Sequence, residues 1–277
     1  MNSLTSTPNP PWTSYVAIGD SITEGLADAL PDGRMRGWAD RLAQHLADRR
    51  GEPVRYANLA IRGRLLGQII DEQLEPALAL RPDLVSLWGG GNDMLRPGAD
   101  PDALATKLEE AVARLRGEGI DVLLGIQVDC KDSPIIRLTR PASATFNANV
   151  WSLARRQGAH VMDVWSMRSL RDWRMWHEDR LHLNQAGHER VSQAALVGLG
   201  LAPDRLEWDA PLLAQAPMTR RQRAAWNYAW AREHAGPWIG RRVRRTSTGA
   251  GRTAKYPAYI DISPGAGADN AGPGRAE

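Results

Sequence analysis

The chain is short of several things whose absence narrows what it can be. Its 277 residues include one cysteine, Cys130, so neither an internal disulfide framework nor a cysteine-built zinc cluster is available. Phenylalanine occurs once, at Phe146, against 11 Trp and 5 Tyr. No apolar run approaches the roughly 18 residues that span a bilayer. The opening residues, MNSLTSTPNPPWTS, carry neither a basic n-region nor an apolar h-region, so no secretory signal is visible and a cytoplasmic location is expected. Three motifs are also missing. Without G-x-S-x-G there is no nucleophile elbow, and without G-x-x-x-x-G-K-[ST] there is no phosphate-binding loop. The glycines at 89–91 lack the G-x-G-x-x-G spacing of a dinucleotide fingerprint.

What is present suits a large α/β domain with an appendage. Hydrophobic residues make up 43% and charged residues 24%, enough for a well-filled core. The net charge of +3 is unevenly spread. Residues 219–256 hold ten Lys or Arg and one acid, Glu233, a net +9, which leaves −6 for the rest.

Five apolar, β-prone runs, at 15–19, 54–60, 84–89, 121–128 and 159–164, alternate with helical patterns. In GWADRLAQHLADRR the apolar positions are 38, 39, 42, 43 and 46, a helical spacing. Such alternation predicts a mostly parallel, five-stranded sheet with helices on both faces and a ligand site at the carboxyl ends of the strands. Beyond about residue 200 the pattern changes to a helix over 217–236 with Ala224, Trp226, Ala229 and Trp230 on or near one side, then basic and Gly/Ala/Pro-rich stretches. The expected organisation is a disordered N-terminus (1–13), an α/β domain (14–202), a helical, basic extension (203–262) and a disordered tail (263–277).

Ser21 sits where the first strand ends in Gly-Asp-Ser. It is either a helix-start residue or an exposed nucleophile, and a serine nucleophile needs a base with an orienting partner. Of the six histidines, only His182 follows an acid, Asp179, by three residues in a loop-like setting. A turn there lets the carboxylate bond the imidazole from behind and fix its tautomer. Acyl transfer also needs oxyanion donors; the candidates are the backbone N–H groups of Ser21 and Gly63 and the amide of Asn92. Asp20 and Asp93 read as local hydrogen-bonding groups, His177 as a rim residue and His188 as a helix histidine. Trp88, Trp173 and Trp176 read as candidates to line an acyl or aromatic pocket, with core packing the equal alternative for Trp88, which lies inside a strand.

The ordered blocks GDSITEG, NLAIRG, GGND and DRLH resemble the four sequence blocks of the GDSL or SGNH hydrolase family, over residues 15–200. The resemblance implies a three-layer α/β/α, flavodoxin-like fold and hydrolysis of esters or thioesters without metal or cofactor. It implies Ser21, Asp179 and His182 as the catalytic set, with Ser21, Gly63 and Asn92 forming the oxyanion hole. The first block reads GDSI rather than GDSL, an apolar exchange. The region from Pro203 onward has no counterpart in the minimal fold. An acyltransferase using the same acyl-enzyme is the alternative within enzymes. A non-catalytic module docking through the basic tail on a membrane or nucleic acid is the alternative outside them. The expected partner is a small-molecule ester; no dedicated nucleic-acid motif accompanies the charge. The basic tail is either a solvated surface or a contact for an anionic membrane, an acidic partner or the acidic body.

Overall fold

A computed structural model of the chain describes residues 9–133, 136–216, 218–235, 249 and 251–265. Strand β1 (Ser14–Gly19) runs into the one-turn helix α1 (Ser21–Glu24), followed by α2 (Trp38–Arg50) and β2 (Val54–Asn58). Next come α3 (Leu66–Ala79), β3 (Leu84–Trp88), the short α4 (Gly91–Met94), α5 (Pro101–Gly117) and β4 (Asp121–Gly125). The chain continues through α6 (Arg140–Gln157), β5 (His160–Met162), α7 (Gln185–Gly198), α8 (Arg220–Trp230) and β6 (Tyr256–Ile262).

The strands form one sheet in the order β5-β4-β3-β1-β2-β6, parallel except for β6. Every residue of β1 and β3 is buried, which is why these strands read as unbroken apolar runs. The helical spacing in the second segment has the matching cause: Trp38, Ala39, Leu42, Ala43 and Leu46 all face the core and are fully buried. From β1 the chain steps to β2 on one side, then crosses back to β3, β4 and β5 on the other. Right-handed crossovers therefore place α2 on one face and α3, α5 and α6 on the other, with α7 returning to pack on α2. The reversal leaves a crevice at the carboxyl ends of β1 and β3, the natural place for a ligand.

The ends of the chain differ from expectation. The sheet has one strand more than the five expected, and it comes from the extension read as helical. Strand β6 pairs antiparallel with β2, Val54 opposite Ile262 and Tyr56 opposite Ile260, with a register shift before Asn58 opposite Tyr256. That irregularity and the edge position accommodate Pro257, which has no N–H for a ladder. Lys255, just ahead of β6, donates from Nζ to the carbonyls of Glu24 (2.8 Å) and Met35 (2.9 Å) and to the Asp40 carboxylate (2.8 Å). At the other end, residues 9–13 are ordered: Trp12 is buried and its Nε1 donates to Asp121 (2.8 Å), while Asp83 accepts from Thr13 N (2.7 Å), Thr13 Oγ1 (2.6 Å) and Ser14 N (3.0 Å). The expected disorder of residues 1–8 and 266–277, and the most basic stretch of the tail, RRVRR at 241–245, lie outside the described residues. Among the described residues no helix is long and apolar enough to cross a membrane.

Candidate active site

Ser21 stands at the first position of α1, directly after β1. Asp20 is the helix N-cap, its side chain accepting from Ile22 N (3.2 Å). The turn requires glycine at 19: a Cβ there would lie 2.5 Å from Thr23 Oγ1 and 2.6 Å from the Trp88 carbonyl. The buried Gln73 clamps the same residue, accepting from Gly19 N (2.8 Å) and donating to Gly19 O (2.9 Å). The serine is thus fixed by the backbone on both sides.

His182 and Asp179 approach from 160 residues away, on the loop between β5 and α7. His182 Nε2 lies 3.0 Å from Ser21 Oγ, and His182 Nδ1 lies 2.7 Å from Asp179 Oδ2. The other carboxylate oxygen, Oδ1, accepts from the backbone N–H of Leu181 (2.9 Å) and His182 (3.0 Å). Burial alone would raise the Asp179 pKa, but the hydrogen bond and charge of His182 and the two N–H donors hold it well below the usual carboxylate range. With Nδ1 donating to this carboxylate, Nε2 faces the serine with its lone pair. Asn184 secures the loop from behind, donating to the carbonyls of Arg174 (2.8 Å) and Trp176 (3.2 Å) and capping α7 through Gly187 N (3.1 Å).

The remaining candidates converge on α1 from the neighbouring strands. Gly63, in the left-handed region at φ +74°, lies in the loop after β2. Its neighbour Arg62 binds Glu24 of α1 through the backbone N–H (2.8 Å) and through the guanidinium, in a pair only 13% exposed on each side. Asn92, after β3, donates from Nδ2 to Asp20 Oδ2 (3.1 Å) and to the Arg64 carbonyl (3.0 Å). Burial is the largest influence on Asp20 and pushes its pKa up to about 6. Asp93, in α4, accepts from Leu66 N (2.9 Å) and so ties α3 to the short helix after β3; burial raises its pKa too.

His177 is not part of the chain of hydrogen bonds through Ser21: its Nδ1 accepts from the Asp179 backbone N–H (3.4 Å) but lies 3.6 Å from the Asp179 carboxylate, and its side chain is 44% exposed. His188 is fully buried, Nδ1 accepting from Trp38 N (3.2 Å) and Nε2 donating to Leu26 O (3.3 Å), and burial drives its pKa down to about 3. Trp88 packs in the core against Trp38, ring centroids 5.8 Å apart. Trp176 bonds the Leu170 carbonyl (2.8 Å). Among the described residues no group of three or more His, Cys, Asp and Glu is placed to hold a metal ion.

Sequence reasoning missed Arg180, which lies between Asp179 and His182. It is buried and left-handed at φ +57°, a backbone state that a non-glycine residue keeps only when its surroundings impose it. Its guanidinium stacks on Trp226, 3.4 Å from the ring centroid, with Trp230 at 4.8 Å and Trp173 at 5.6 Å. Two of those rings belong to α8. The available signal was a pair of tryptophans four residues apart on a helix with no apparent partner.

Comparison with known proteins fits this geometry. The sequence model of the GDSL-like lipase/acylhydrolase family matches residues 17–190. A search of curated proteins finds no match. Among solved structures, the chain is similar to TesA, with 26% identity and a TM-score of 0.57 over 67% of this chain and 97% of TesA. It also resembles an alpha/beta hydrolase enzyme from the metagenome of Lake Arreo, Spain (23%, TM-score 0.57, 68% of this chain and 95% of that one). A third is an acetyl xylan esterase from Geobacillus stearothermophilus (20%, TM-score 0.57, 70% and 97%). The last two identities are low enough to show likeness of fold alone.

Proposed function

The chain belongs to the GDSL-like lipase/acylhydrolase family, and from that premise we propose that it cleaves carboxylic esters through an acyl-enzyme formed on Ser21. The observation that carries this reading is the continuous run of hydrogen bonds from Asp179 through His182 to Ser21, 2.7 Å and 3.0 Å long. A serine hydroxyl becomes a competent nucleophile when a base within such reach takes its proton. Ser21 Oγ attacks the acyl carbonyl as its proton passes to His182 Nε2. Asp179, held ionised by its donors, stabilises the imidazolium without taking the proton itself. The tetrahedral oxyanion is held by the N–H groups of Ser21 and Gly63 and by Asn92, which exchanges its Asp20 contact for the developing charge. His182 then protonates the leaving alcohol, the C–O bond breaks, and water repeats the sequence to release the acid and restore Ser21.

The substrates fitting this chemistry are acyl or acetyl esters of small alcohols, lipids or sugars. A structural neighbour named as an acetyl xylan esterase places acetylated sugars among the first to test. The test is a panel of p-nitrophenyl acetate, longer p-nitrophenyl esters, an acetylated xylo-oligosaccharide and an acyl thioester, run with wild type and Ser21→Ala. Wild type is expected to hydrolyse part of the panel and Ser21→Ala none of it. Turnover retained by Ser21→Ala removes the assignment. Acyl transfer would show instead as ester product when an alcohol acceptor is supplied.

A further inference from the structure

The loop that carries Asp179 and His182 is gripped from two sides, and only one of them belongs to the minimal fold. On its inner side it closes on itself: His177 N donates to His182 O (2.8 Å) and Arg180 N to His177 O (2.9 Å). On its outer side it meets α8, from the extension beyond residue 203. Trp230 Nε1 donates to the backbone carbonyl of Asp179 (3.0 Å). Asn227 Oδ1 accepts from Arg180 Nη1 (2.9 Å), and the Trp226 and Trp230 rings cover the Arg180 guanidinium. Among the described residues no carboxylate lies within ion-pairing distance of Arg180.

We propose that α8 is a working wall of the active centre, in which Trp226 and Trp230, acting through Arg180 and the Asp179 carbonyl, are positioning residues that hold Asp179 and His182 in register with Ser21. This rests on the serine-hydrolase reading above. Ring faces and an amide are the right chemistry for the task. A buried guanidinium needs its charge met, and stacked indoles meet it without an anion. A carboxylate clamp in the same place would put a second negative charge within reach of His182, in competition with Asp179. The left-handed backbone of Arg180 fits the same account. The turn that aims His182 is strained at its tip, and the grip on the Arg180 side chain keeps it there. The extension, which the family resemblance left without a role, then completes the site rather than decorating it.

The test measures kcat and KM on p-nitrophenyl acetate, and the rate of fluorophosphonate labelling, for Trp230→Phe, Trp226→Phe, Trp226→Ala, Arg180→Met and the double variant Arg180→Met/Trp226→Ala, with thermal melts of each. Trp230→Phe keeps the ring and loses one donor, so its fold is retained; kcat and the labelling rate are expected to fall about tenfold with KM within about twofold. Arg180→Met and Trp226→Ala each lose about thirtyfold in kcat, while Trp226→Phe, which keeps a ring face, retains most of the activity. Because Arg180 and Trp226 act as one unit, the double variant is expected to be no slower than the worse single. Wild-type kcat in Trp230→Phe and Trp226→Ala, losses confined to KM, or multiplicative losses in the double variant would each overturn the role of α8. If the wild type neither hydrolyses the ester nor labels, the hydrolase reading itself falls and this inference with it; a reactive wild type with unaffected α8 variants removes this inference alone.

Discussion

Replacing Glu24 with glutamine separates the positioning of Gly63 from the chemistry at Ser21. Glu24 receives the Arg62 backbone N–H and guanidinium together, in a pair with 13% exposure on each side. The bond joins the helix that begins with Ser21 to the loop that presents Gly63. Glutamine keeps the shape but removes the charge, leaving a nearly buried guanidinium uncompensated. Breaking a fully buried pair in this way costs about 3–5 kcal/mol; with this residual exposure about 2–3 kcal/mol is expected. For a chain of this size that corresponds to a fall in melting temperature of roughly 5–10 °C. The catalytic consequence is separate. Losing one oxyanion donor costs about a hundredfold to a thousandfold, and loosening it costs less, so kcat should fall about ten- to a hundredfold with KM nearly constant. Steady-state kinetics on p-nitrophenyl acetate and calorimetry read the two effects. Adding Arg62→Met to Glu24→Gln removes the stranded charge, so stability should partly return while kcat stays low. Wild-type kcat in Glu24→Gln, or a kcat that recovers in step with stability, would refute the positioning argument.

Three further outcomes follow from the same contacts. Asp179→Asn supplies an amide where the imidazole needs an acceptor, so kcat should drop about a thousandfold or more with little change in KM; a loss below about tenfold contradicts its orienting role. Asp20 binds its proton more tightly in the folded state, with a pKa of about 6 against 3.8 in the open chain, so stability should fall by about 3 kcal/mol in all as pH rises from about 3 to about 7. Asp20→Asn keeps a helix-capping side chain and removes that slope, so its melting temperature relative to wild type should be more favourable at pH 8 than at pH 4; an equal difference at both contradicts the burial argument. Lys255→Met strips three hydrogen bonds from a side chain that is 12% exposed and should lower stability by about 2–4 kcal/mol, read by denaturant unfolding. A loss under about 0.5 kcal/mol would mean that β6 does not brace the loop before α2.

What was legible in the sequence is what has a local cause. Strands β1 and β3 to β5 are largely buried on both faces, which writes a nearly continuous apolar run, and β2 breaks it only at the exposed Arg55. Strand β6 carries no such run: it is an edge strand with Pro257 inside it and Asp261 exposed between Ile260 and Ile262, and its partner lies 200 residues earlier. Trp12 was equally silent, since a lone tryptophan after two prolines gives no period to read. At the site, Ser21 could be singled out because it follows a strand at a glycine turn, and Asp179 with His182 because three residues of spacing make one turn. The structure brings these three side chains together. The Glu24–Arg62 pair left no local mark and the Arg180 cage only the spacing of two tryptophans, because each joins segments that only the tertiary fold makes neighbours. The bonds of Asn92 to Asp20 and Arg64 belong to the same class.

The most direct measurement is peptide mapping by mass spectrometry after reaction with a fluorophosphonate. The account predicts a single adduct, on the peptide containing Ser21, formed by the wild type and lost in His182→Ala. An adduct on a different residue, or ester hydrolysis by a protein whose Ser21 stays unmodified under inhibiting concentrations of the probe, would contradict it.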